Sequence, residues 1–305
     1  MSAAESDTIM MFCASCGTAG SNDIKLKRCN ACYLVRYCSV KCQKDHRPKH
    51  KKECKKRAAD LKDEILFKQP ESSCYGDCPI CCLPLSIDPS KSRLMGCCSK
   101  LICNGCNWAN MKRETEERLR HTCPFCRTSM PKTEEFHQQL MKRIEANDPV
   151  AMGQMGKKRC EEGDYTAAFE YFAKAATLGD AASHYQLSTM YHIGMGVEKD
   201  EKKYLHHTEQ AAIGGHPHAR HNLGCMEGMN GRFDRALKHF IIAVKLGHDK
   251  SLDGAKGLYE AGLVSKDVFT AARRDHKAVI EATKSPQREE ADAASMFNVK
   301  GRCSV

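Results

Sequence analysis

The clearest pattern of apolar positions lies in the second half of the chain, where it repeats. Three stretches, AATLGDAASHYQL, AAIGGHPHARHNL and AVKLGHDKSLDGA, align at periods of 36 and 32 residues, and a fainter copy begins near Asp148. Small residues recur at one position of this pattern, at Ala151, Ser183, Ala219 and Ser251. Larger apolar residues follow four positions later, at Met155, Leu187 and Leu223. This pattern predicts stacked helix pairs, an all-α solenoid over residues 148–284.

Three further segments have apolar residues at helical spacing. They are a linker helix and hinge at 55–73 with Leu61, Ile65 and Leu66, an amphipathic helix in 107–122 with Trp108, Met111, Thr115 and Leu119, and a connecting helix at 131–147 with Phe136, Leu140 and Ile144. Both ends, 1–12 and 285–305, are predicted to be disordered, and the second of these segments is polar.

Cysteine changes this picture. The chain has 305 residues and 20 cysteines, and 17 of these lie between Cys13 and Cys126. No secretory signal and no apolar run of the ~18 residues that a membrane span needs is present. We therefore expect a cytoplasmic or nuclear protein, not a secreted one, with no membrane partner and with reduced thiols. Paired cysteines in that setting indicate metal sites.

The net charge of +10 raises the question of nucleic acid. It counts cysteines as neutral, whereas fifteen thiolates holding four zinc ions would lower the charge to about +3. Nucleic acid is therefore not expected as a partner. The basic run over 44–57 is better interpreted as a solvated helix than as a nuclear-import or phosphate-binding patch.

The first cysteine block contains four pairs of potential ligands. Their spacings are Cys13-x2-Cys16, Cys29-x2-Cys32, Cys38-x3-Cys42 and His50-x3-Cys54. A gap of two residues lets one turn supply two ligands, and structural zinc takes four. Eight ligands in four pairs predict two structural zinc sites.

This spacing resembles the MYND zinc finger over residues 13–54. The resemblance implies interleaved ligand sets, Cys13, Cys16, Cys38 and Cys42 for one ion and Cys29, Cys32, His50 and Cys54 for the other. It also implies a shallow groove for short proline-containing peptides, to which Gln43 would belong. Arg47 stands where the family usually has an aromatic residue, so the surface on which proline stacks is missing.

The second block, within a module at 74–130, has the order pair, loop, pair, helix, pair. This order resembles an eight-cysteine RING finger and implies a cross-brace. One ion would be held by Cys78, Cys81, Cys103 and Cys106, and the other by Cys97, Cys98, Cys123 and Cys126. Cys74 and Cys82 are left over and are expected to be buried free thiols.

The adjacent Cys97 and Cys98 require a choice of register. If Cys98 were the third ligand, the fourth would fall at Lys100, whose ammonium group cannot bind zinc. Both cysteines are therefore favoured as ligands, with Cys82 or His121 completing the site as the alternatives. Neighbouring side chains of an extended chain point apart, so a tight bend is needed, which we expect Gly96 to permit.

A RING finger has no nucleophile or general base, so no catalytic residue is predicted. It acts by positioning a ubiquitin-conjugating enzyme loaded with ubiquitin. The resemblance implies that Ile80, Trp108 and Pro124 contact that enzyme and that Arg127 donates hydrogen bonds to ubiquitin. The simpler interpretation is that Ile80 and Trp108 are core residues and that Arg127 is solvated.

The segment YHIGMGVEKDEKKY resembles the Sel1-like repeat, which implies a surface for other proteins. Five histidines lie between residues 206 and 221, without the Cys/His spacing of a metal site, and are expected on the surface: His206, His207, His216, His218 and His221.

The sequence thus predicts a multidomain protein with two small zinc-stabilised modules, an α-helical solenoid and four zinc ions. One hypothesis is a RING-type ubiquitin ligase whose repeats select the substrate. Another is a non-catalytic scaffold or adaptor that only binds proteins. A third, weaker hypothesis is a transcription-related regulator that uses the basic run.

Overall fold

The computed structural model describes residues 12–130 and 133–300. The predictions for residues 1–11 and 301–305 lie outside the described residues. The chain forms two compact units, Met1–Lys68 and Gln69–Val305, which are treated separately below. No helix in the described ranges is long and apolar enough to cross a membrane.

Helices dominate the described residues, with two short strand pairs in the cysteine-rich part. The strands are β1 Lys27–Arg28, β2 Arg36–Tyr37, β3 Ser92–Met95 and β4 Lys100–Cys103. The helices are α1 Val40–Leu66, α2 Asn104–Glu116, α3 Thr133–Glu145, α4 Pro149–Glu161, α5 Tyr165–Thr177, α6 Ala181–Ile193, α7 Glu201–Ile213, α8 Pro217–Met229, α9 Phe233–Lys245, α10 Asp249–Glu260, α11 Lys266–Ala282 and α12 Pro286–Lys300.

The first unit consists of the antiparallel pair β1–β2 followed by the long helix α1. Ser39 caps α1 by accepting a hydrogen bond from the Cys42 N–H at 3.2 Å. The helix then continues for 27 residues through Pro48 to Leu66, so the predicted linker helix is an extension of the finger helix. Alanine, lysine, glutamate and leucine between Cys54 and Leu66 are strong helix formers, and no glycine or proline interrupts them.

The second unit begins with the hairpin β3–β4 and the helix α2. Leu85, Met95 and Ile102 form a small core with buried cysteines. The helix α2 ends at Glu116, earlier than predicted, and Leu119 lies outside it with half of its side chain exposed. The buried residues of this helix are Gly105, Cys106 and Glu114, whose carboxylate accepts hydrogen bonds from Thr122. Met111 and Thr115 are exposed, so the predicted apolar face is wrong.

The repeats have the predicted periodicity. Their first helices begin at Pro149, Ala181, Pro217 and Asp249, at intervals of 32, 36 and 32 residues. The predicted small residues are almost fully buried, with exposures of 0–1% at Ala151, Ser183, Ala219 and Ser251. The stacked helix pairs predicted from the sequence are therefore confirmed.

Two glycines set the distance between the helices of a pair. A Cβ atom on Gly156 would lie 2.6 Å from the ring of Phe172, and one on Gly224 would lie 2.5 Å from the ring of Phe240. Because real Cβ atoms do not approach other atoms so closely, only glycine lets the aromatic ring of the second helix lie on the first.

The cysteine-rich part of the second unit contacts the turn before α8 and the helix α3. The Cys74 N–H donates to the Gly215 carbonyl at 3.0 Å, just before α8. A Cβ atom on Gly96 would lie 2.5 Å from the ring of Phe136 in α3. The repeats therefore hold this module by packing and by a backbone hydrogen bond.

The helix α12 packs against α2 of the second unit. Arg288 packs on Gly105 of α2 so closely that a Cβ atom there would lie 2.8 Å from the Arg288 nitrogen. Lys112 and Glu290 form an ion pair at 2.8 Å. The prediction of disorder after residue 284 is therefore wrong over 286–300, because polar composition does not reveal contacts with a module two hundred residues earlier.

Two histidines occupy helix N-caps. Asp148 and Asp180 cap α4 and α6, and His216 and His248 take the same position before α8 and α10. The Nδ1 atom of His216 accepts from the Ala219 N–H at 3.3 Å. His216 is only 3% exposed, so its predicted surface position is wrong, because a neutral imidazole can serve as a buried cap acceptor.

The environment of His216 favours its neutral form. Burial, together with the nearby His218, Lys157 and His248, lowers the pKa of His216 from 6.5 to about 3. The unfolded chain therefore binds more protons than the folded chain below pH 6.5. The stability that the neutral ring contributes is present above this pH and is lost as pH falls towards 3.

We expect His216→Asn to reduce the pH dependence of stability, because asparagine keeps a cap acceptor and does not titrate. Between pH 7.5 and 6.0, protonation of this histidine in the unfolded chain should lower the free energy of unfolding of the wild type by about 0.8 kcal/mol. Over the same pH range, the free energy of unfolding of the variant should fall by about 0.8 kcal/mol less than that of the wild type. Urea unfolding followed by circular dichroism measures both. His206→Asn, at an exposed position of α7, is the control. Equal pH dependence in wild type and His216→Asn would contradict this account.

Candidate metal centres

The structure brings together the sixteen side chains that the sequence predicted, in the same four sets. Within each set, the sulfur or nitrogen atoms all lie within 4.8 Å of one another. The sets are Cys13, Cys16, Cys38 and Cys42 (site one), Cys29, Cys32, His50 and Cys54 (site two), Cys78, Cys81, Cys103 and Cys106 (site three) and Cys97, Cys98, Cys123 and Cys126 (site four).

The distances between ligand atoms fit zinc. Tetrahedral zinc with bonds of about 2.3 Å to sulfur places the sulfur atoms about 3.8 Å apart. The observed Sγ–Sγ distances include 3.6 Å for Cys16–Cys38, 3.7 Å for Cys29–Cys54, 3.8 Å for Cys81–Cys103 and 3.9 Å for Cys98–Cys123. The cysteines of the described residues are all free thiols. Four zinc ions therefore fit these sites, where they would crosslink the chain.

Four of the five pairs with two-residue gaps sit on one repeated turn, whereas Cys103 and Cys106 lie at the start of α2. After each of the four pairs, the next residue donates its N–H to the carbonyl of the first cysteine, at 2.8–3.0 Å. These residues are Gly17, Tyr33, Cys82 and Arg127, and all have positive φ, between 55° and 72°. Three of these four residues are not glycine, yet they adopt a backbone conformation that favours glycine. The position after the second cysteine is the sequence signal for this turn.

The adjacent cysteines both belong to site four. They lie in the turn between β3 and β4, where the Ser99 N–H donates to the Met95 carbonyl at 2.8 Å and Ser99 has a φ of 53°. The bend is thus at Ser99 and not at Gly96, whose φ is not positive; Gly96 is required by the ring of Phe136.

The alternative ligands for site four lie elsewhere. Cys82 is exposed, contrary to the buried thiol expected from the sequence. The Nδ1 atom of His121 lies 3.3 Å from the Glu114 carboxylate. Neither residue belongs to a set of converging ligand atoms in the described chain.

Site one illustrates why the thiols need a cation. Burial acts to raise the pKa of Cys13, but backbone hydrogen bonds from Cys16, Cys38 and Ser15 outweigh it and lower the pKa to about 6. Hydrogen bonding to Cys16 and then to Cys42 raises the pKa of Cys38 to about 12. Without metal, some thiols thus ionise at the expense of others. A dication allows all four to be thiolates, and its binding releases protons.

Site three has a cationic neighbour outside its ligand set. Arg288 donates to the Cys81 sulfur at 3.4 Å, to the Leu83 carbonyl at 3.1 Å and to the Pro84 carbonyl at 2.7 Å. Four thiolates and one zinc ion carry two net negative charges, which the guanidinium partly offsets. Sequence reasoning missed Arg288 because it lies in the segment predicted to be disordered.

The predicted partner residues have different surroundings. Ile80 is 40% exposed and Arg127 is exposed, in agreement with a role at a surface. Pro124 is half-buried beside the exposed Phe125. Trp108 is half-buried between Gly105 and Lys112, both of which contact α12, so this helix partly covers the indole.

In the first unit, Gln43 lines a groove between α1 and the loop that carries Cys29. Arg47 lines the same groove. His46, which the spacing does not place among the ligands, stacks on the ring of His50 and lies 3.1 Å from the Tyr37 hydroxyl.

Comparison with known proteins identifies two of the modules. Residues 13–54 match the MYND finger family, and residues 151–180, 181–216 and 217–248 match the Sel1 repeat. The chain is 42% identical over 52 residues to SET domain and MYND-type zinc finger protein 6 of Schizosaccharomyces pombe. That match covers 17% of this chain and 11% of the length of the relative.

Two solved structures are also similar. A Sel1 repeat protein from Oxalobacter formigenes has a TM-score of 0.43 and 17% identity, over 57% of this chain and 71% of the other. The protective antigen c5321 of uropathogenic Escherichia coli has a TM-score of 0.38 and 21% identity, over 55% and 37%. On the two family matches and the four ligand sets, the chain is a zinc-binding protein-interaction protein with a MYND finger and Sel1 repeats.

We expect Cys97→Ser to bind three zinc ions and to destabilise the repeats, whereas Cys82→Ser should bind four and leave them unchanged. Loss of site four would loosen the turn that packs on Phe136, and a structural zinc site contributes on the order of 10 kcal/mol. Native mass spectrometry counts the ions and circular dichroism follows helix unfolding. Four ions in Cys97→Ser would show that another residue completes the site.

Proposed function

We propose that the chain is a RING-type ubiquitin ligase whose second zinc module positions a ubiquitin-conjugating enzyme. The observation that carries this proposal is the alternation of its ligand pairs. The first and third pairs converge on site three, and the second and fourth converge on site four. This cross-brace fixes two loops, at 78–81 and 123–126, beside α2.

The proposed chemistry is orientation. The module contributes no nucleophile or general base, so its effect on the rate would come from holding the loaded conjugating enzyme in a reactive arrangement. Ile80 offers apolar surface on the first loop, with 40% of the residue exposed, and Phe125 offers more on the second, with 43% exposed. These side chains would gain contact area when the enzyme docks.

Arg127 would act on ubiquitin. Its side chain is exposed, and its guanidinium forms no hydrogen bond or ion pair with any side chain in the ranges 12–130 and 133–300. The backbone turn at site four holds its Cα atom in place through the N–H bond to Cys123 at 2.9 Å. A charged donor on a fixed backbone is suited to hydrogen bonding with ubiquitin in the reactive complex.

A non-catalytic adaptor is the second candidate, and a specific observation favours it. Trp108, which the resemblance implies for enzyme contact, lies partly under α12. The module is also joined to the repeats through Cys74 and Gly215. In the adaptor, the RING-like module would serve only to fix the repeats, and the repeats and the finger would bind partner proteins in the cytoplasm or nucleus.

The discharge of ubiquitin from a panel of loaded conjugating enzymes separates these candidates. Ile80→Ala should weaken docking by about tenfold, because removing three carbon atoms costs about 1–2 kcal/mol of apolar contact. Arg127→Ala should leave docking nearly unchanged and slow discharge by about tenfold, because its hydrogen bonds form in the reactive complex.

Matched controls come from the same module. Arg118 is exposed and has a φ of 55°, close to that of Arg127, and Leu119 is 50% exposed. Arg118→Ala and Leu119→Ala should keep the wild-type rate, and all four variants should retain four zinc ions. If fully zinc-loaded wild type accelerates discharge from no enzyme in the panel, the ligase proposal fails and the adaptor remains.

A further inference from the structure

The finger contains a groove that zinc binding leaves free. It has a volume of about 460 Å³ and lies between α1 and the loop that carries Cys29. Its lining includes Cys29, His50 and Cys54 of site two, and Val40 and Gln43 of α1. The loop that carries Cys29 forms one wall, and one face of α1, with His50 and Cys54 of site two, forms the other.

The middle of the groove is apolar and open. Val40 is 64% exposed at the first turn of α1, and Ala31 and the largely buried Tyr37 also line the groove. An exposed branched aliphatic side chain inside a concave surface is an anchor point for an apolar side chain of a partner.

Four cations border this apolar patch. Lys44, Arg47, Lys51 and Lys55 follow one another at intervals of three or four residues, so they share one face of α1. The lining includes no aspartate or glutamate. In the described parts of the chain, none of the four forms an ion pair with a carboxylate. Site two, with three thiolates and one zinc ion, carries one net negative charge, so the cations remain in excess.

We propose that this groove binds an acidic peptide segment of a partner protein. Aspartate or glutamate side chains of the peptide pair with the row Lys44, Arg47, Lys51 and Lys55, and one apolar side chain of the peptide covers Val40. The Gln43 amide, beside Val40, can donate to a peptide carbonyl and accept from a peptide N–H. Arg47 in place of an aromatic residue is what selects an acidic side chain at that point of the groove.

The apolar floor favours a peptide over nucleic acid. A ligand held by charge alone would not need Val40, and it would also use the opposite face of α1, where Lys49 and Lys56 lie about half a turn from Arg47. These two exposed lysines provide a control of equal charge on the same helix. The inference goes beyond ligase activity, and it is tested without ubiquitin.

The test measures fluorescence anisotropy with the full-length, zinc-loaded chain. The probes are a fluorescein-labelled peptide in which aspartate and glutamate flank one leucine, a neutral version with asparagine and glutamine, a proline-rich peptide and a short DNA duplex. The salt concentration is about 150 mM, at which charges separated by more than about 8 Å are largely screened.

The acidic peptide should bind at least tenfold more tightly than the neutral and proline-rich peptides. Arg47→Glu/Lys51→Glu should weaken its binding by at least tenfold, because two attractions become repulsions. Lys49→Glu/Lys56→Glu, with the same change in charge, should weaken it by less than threefold. Val40→Ser should weaken binding of the peptide and leave binding of DNA unchanged. Each variant is first checked for four bound zinc ions.

Several outcomes would overturn the proposal. Equal losses in the two charge-reversed variants, with DNA competing as well as the peptide, would identify α1 as a general binder of polyanions. Equal affinity for the neutral or proline-rich peptide would remove the role of charge. Unchanged peptide binding by Val40→Ser would remove the apolar anchor, and no binding of the acidic peptide by wild type at 100 µM would remove the site.

Discussion

The repulsion between thiolates is the constraint on which both cysteine-rich modules depend. Sixteen ligands lie in four groups, each with its ligand atoms within 4.8 Å, and so many negative charges at that distance require a dication. In the finger, the buried residues of the core are Cys13, Cys29 and Cys32 together with Tyr37. Because this core is too small to offset the conformational entropy of forty residues, zinc coordination supplies what apolar burial cannot.

In the second unit, direct contacts connect the zinc sites to the helices. The turn that carries Cys97 and Cys98 packs on Phe136, and the chain before Cys78 bonds to the turn before α8 through Cys74 and Gly215. Arg288 then links α12 to a zinc ligand and to two carbonyl groups of the same module. The stabilities of the metal sites and of the repeats in this unit are therefore coupled, and the two parts do not behave as independent domains.

Local patterns in the sequence were sufficient to predict the ligand pairs and the repeats, whereas the grouping of the pairs into four sets came from the resemblance to the MYND and RING fingers. Cysteine spacing reports turns of a few residues, and the burial of Ala151, Ser183, Ala219 and Ser251 follows from helical periodicity. Features that depend on distant residues were not predictable. The order in α12 depends on contacts with Cys81 and Lys112, and the covering of Trp108 depends on α12. The bend at Ser99 and the cap at His216 were missed for another reason, since each uses a residue type that is uncommon in that conformation.

The contact between Arg288 and Cys81 spans 207 positions of the chain, and this sets the order of events during synthesis. At about 5–20 residues per second, roughly 10–40 s separate the emergence of the two residues from the ribosome. The ligands of sites three and four are all translated before the first repeat, so they can take up zinc while the rest of the unit is still being made. The guanidinium beside site three arrives last. A nascent chain therefore carries a partly uncovered module until α12 has emerged and Arg288 can bind beside site three.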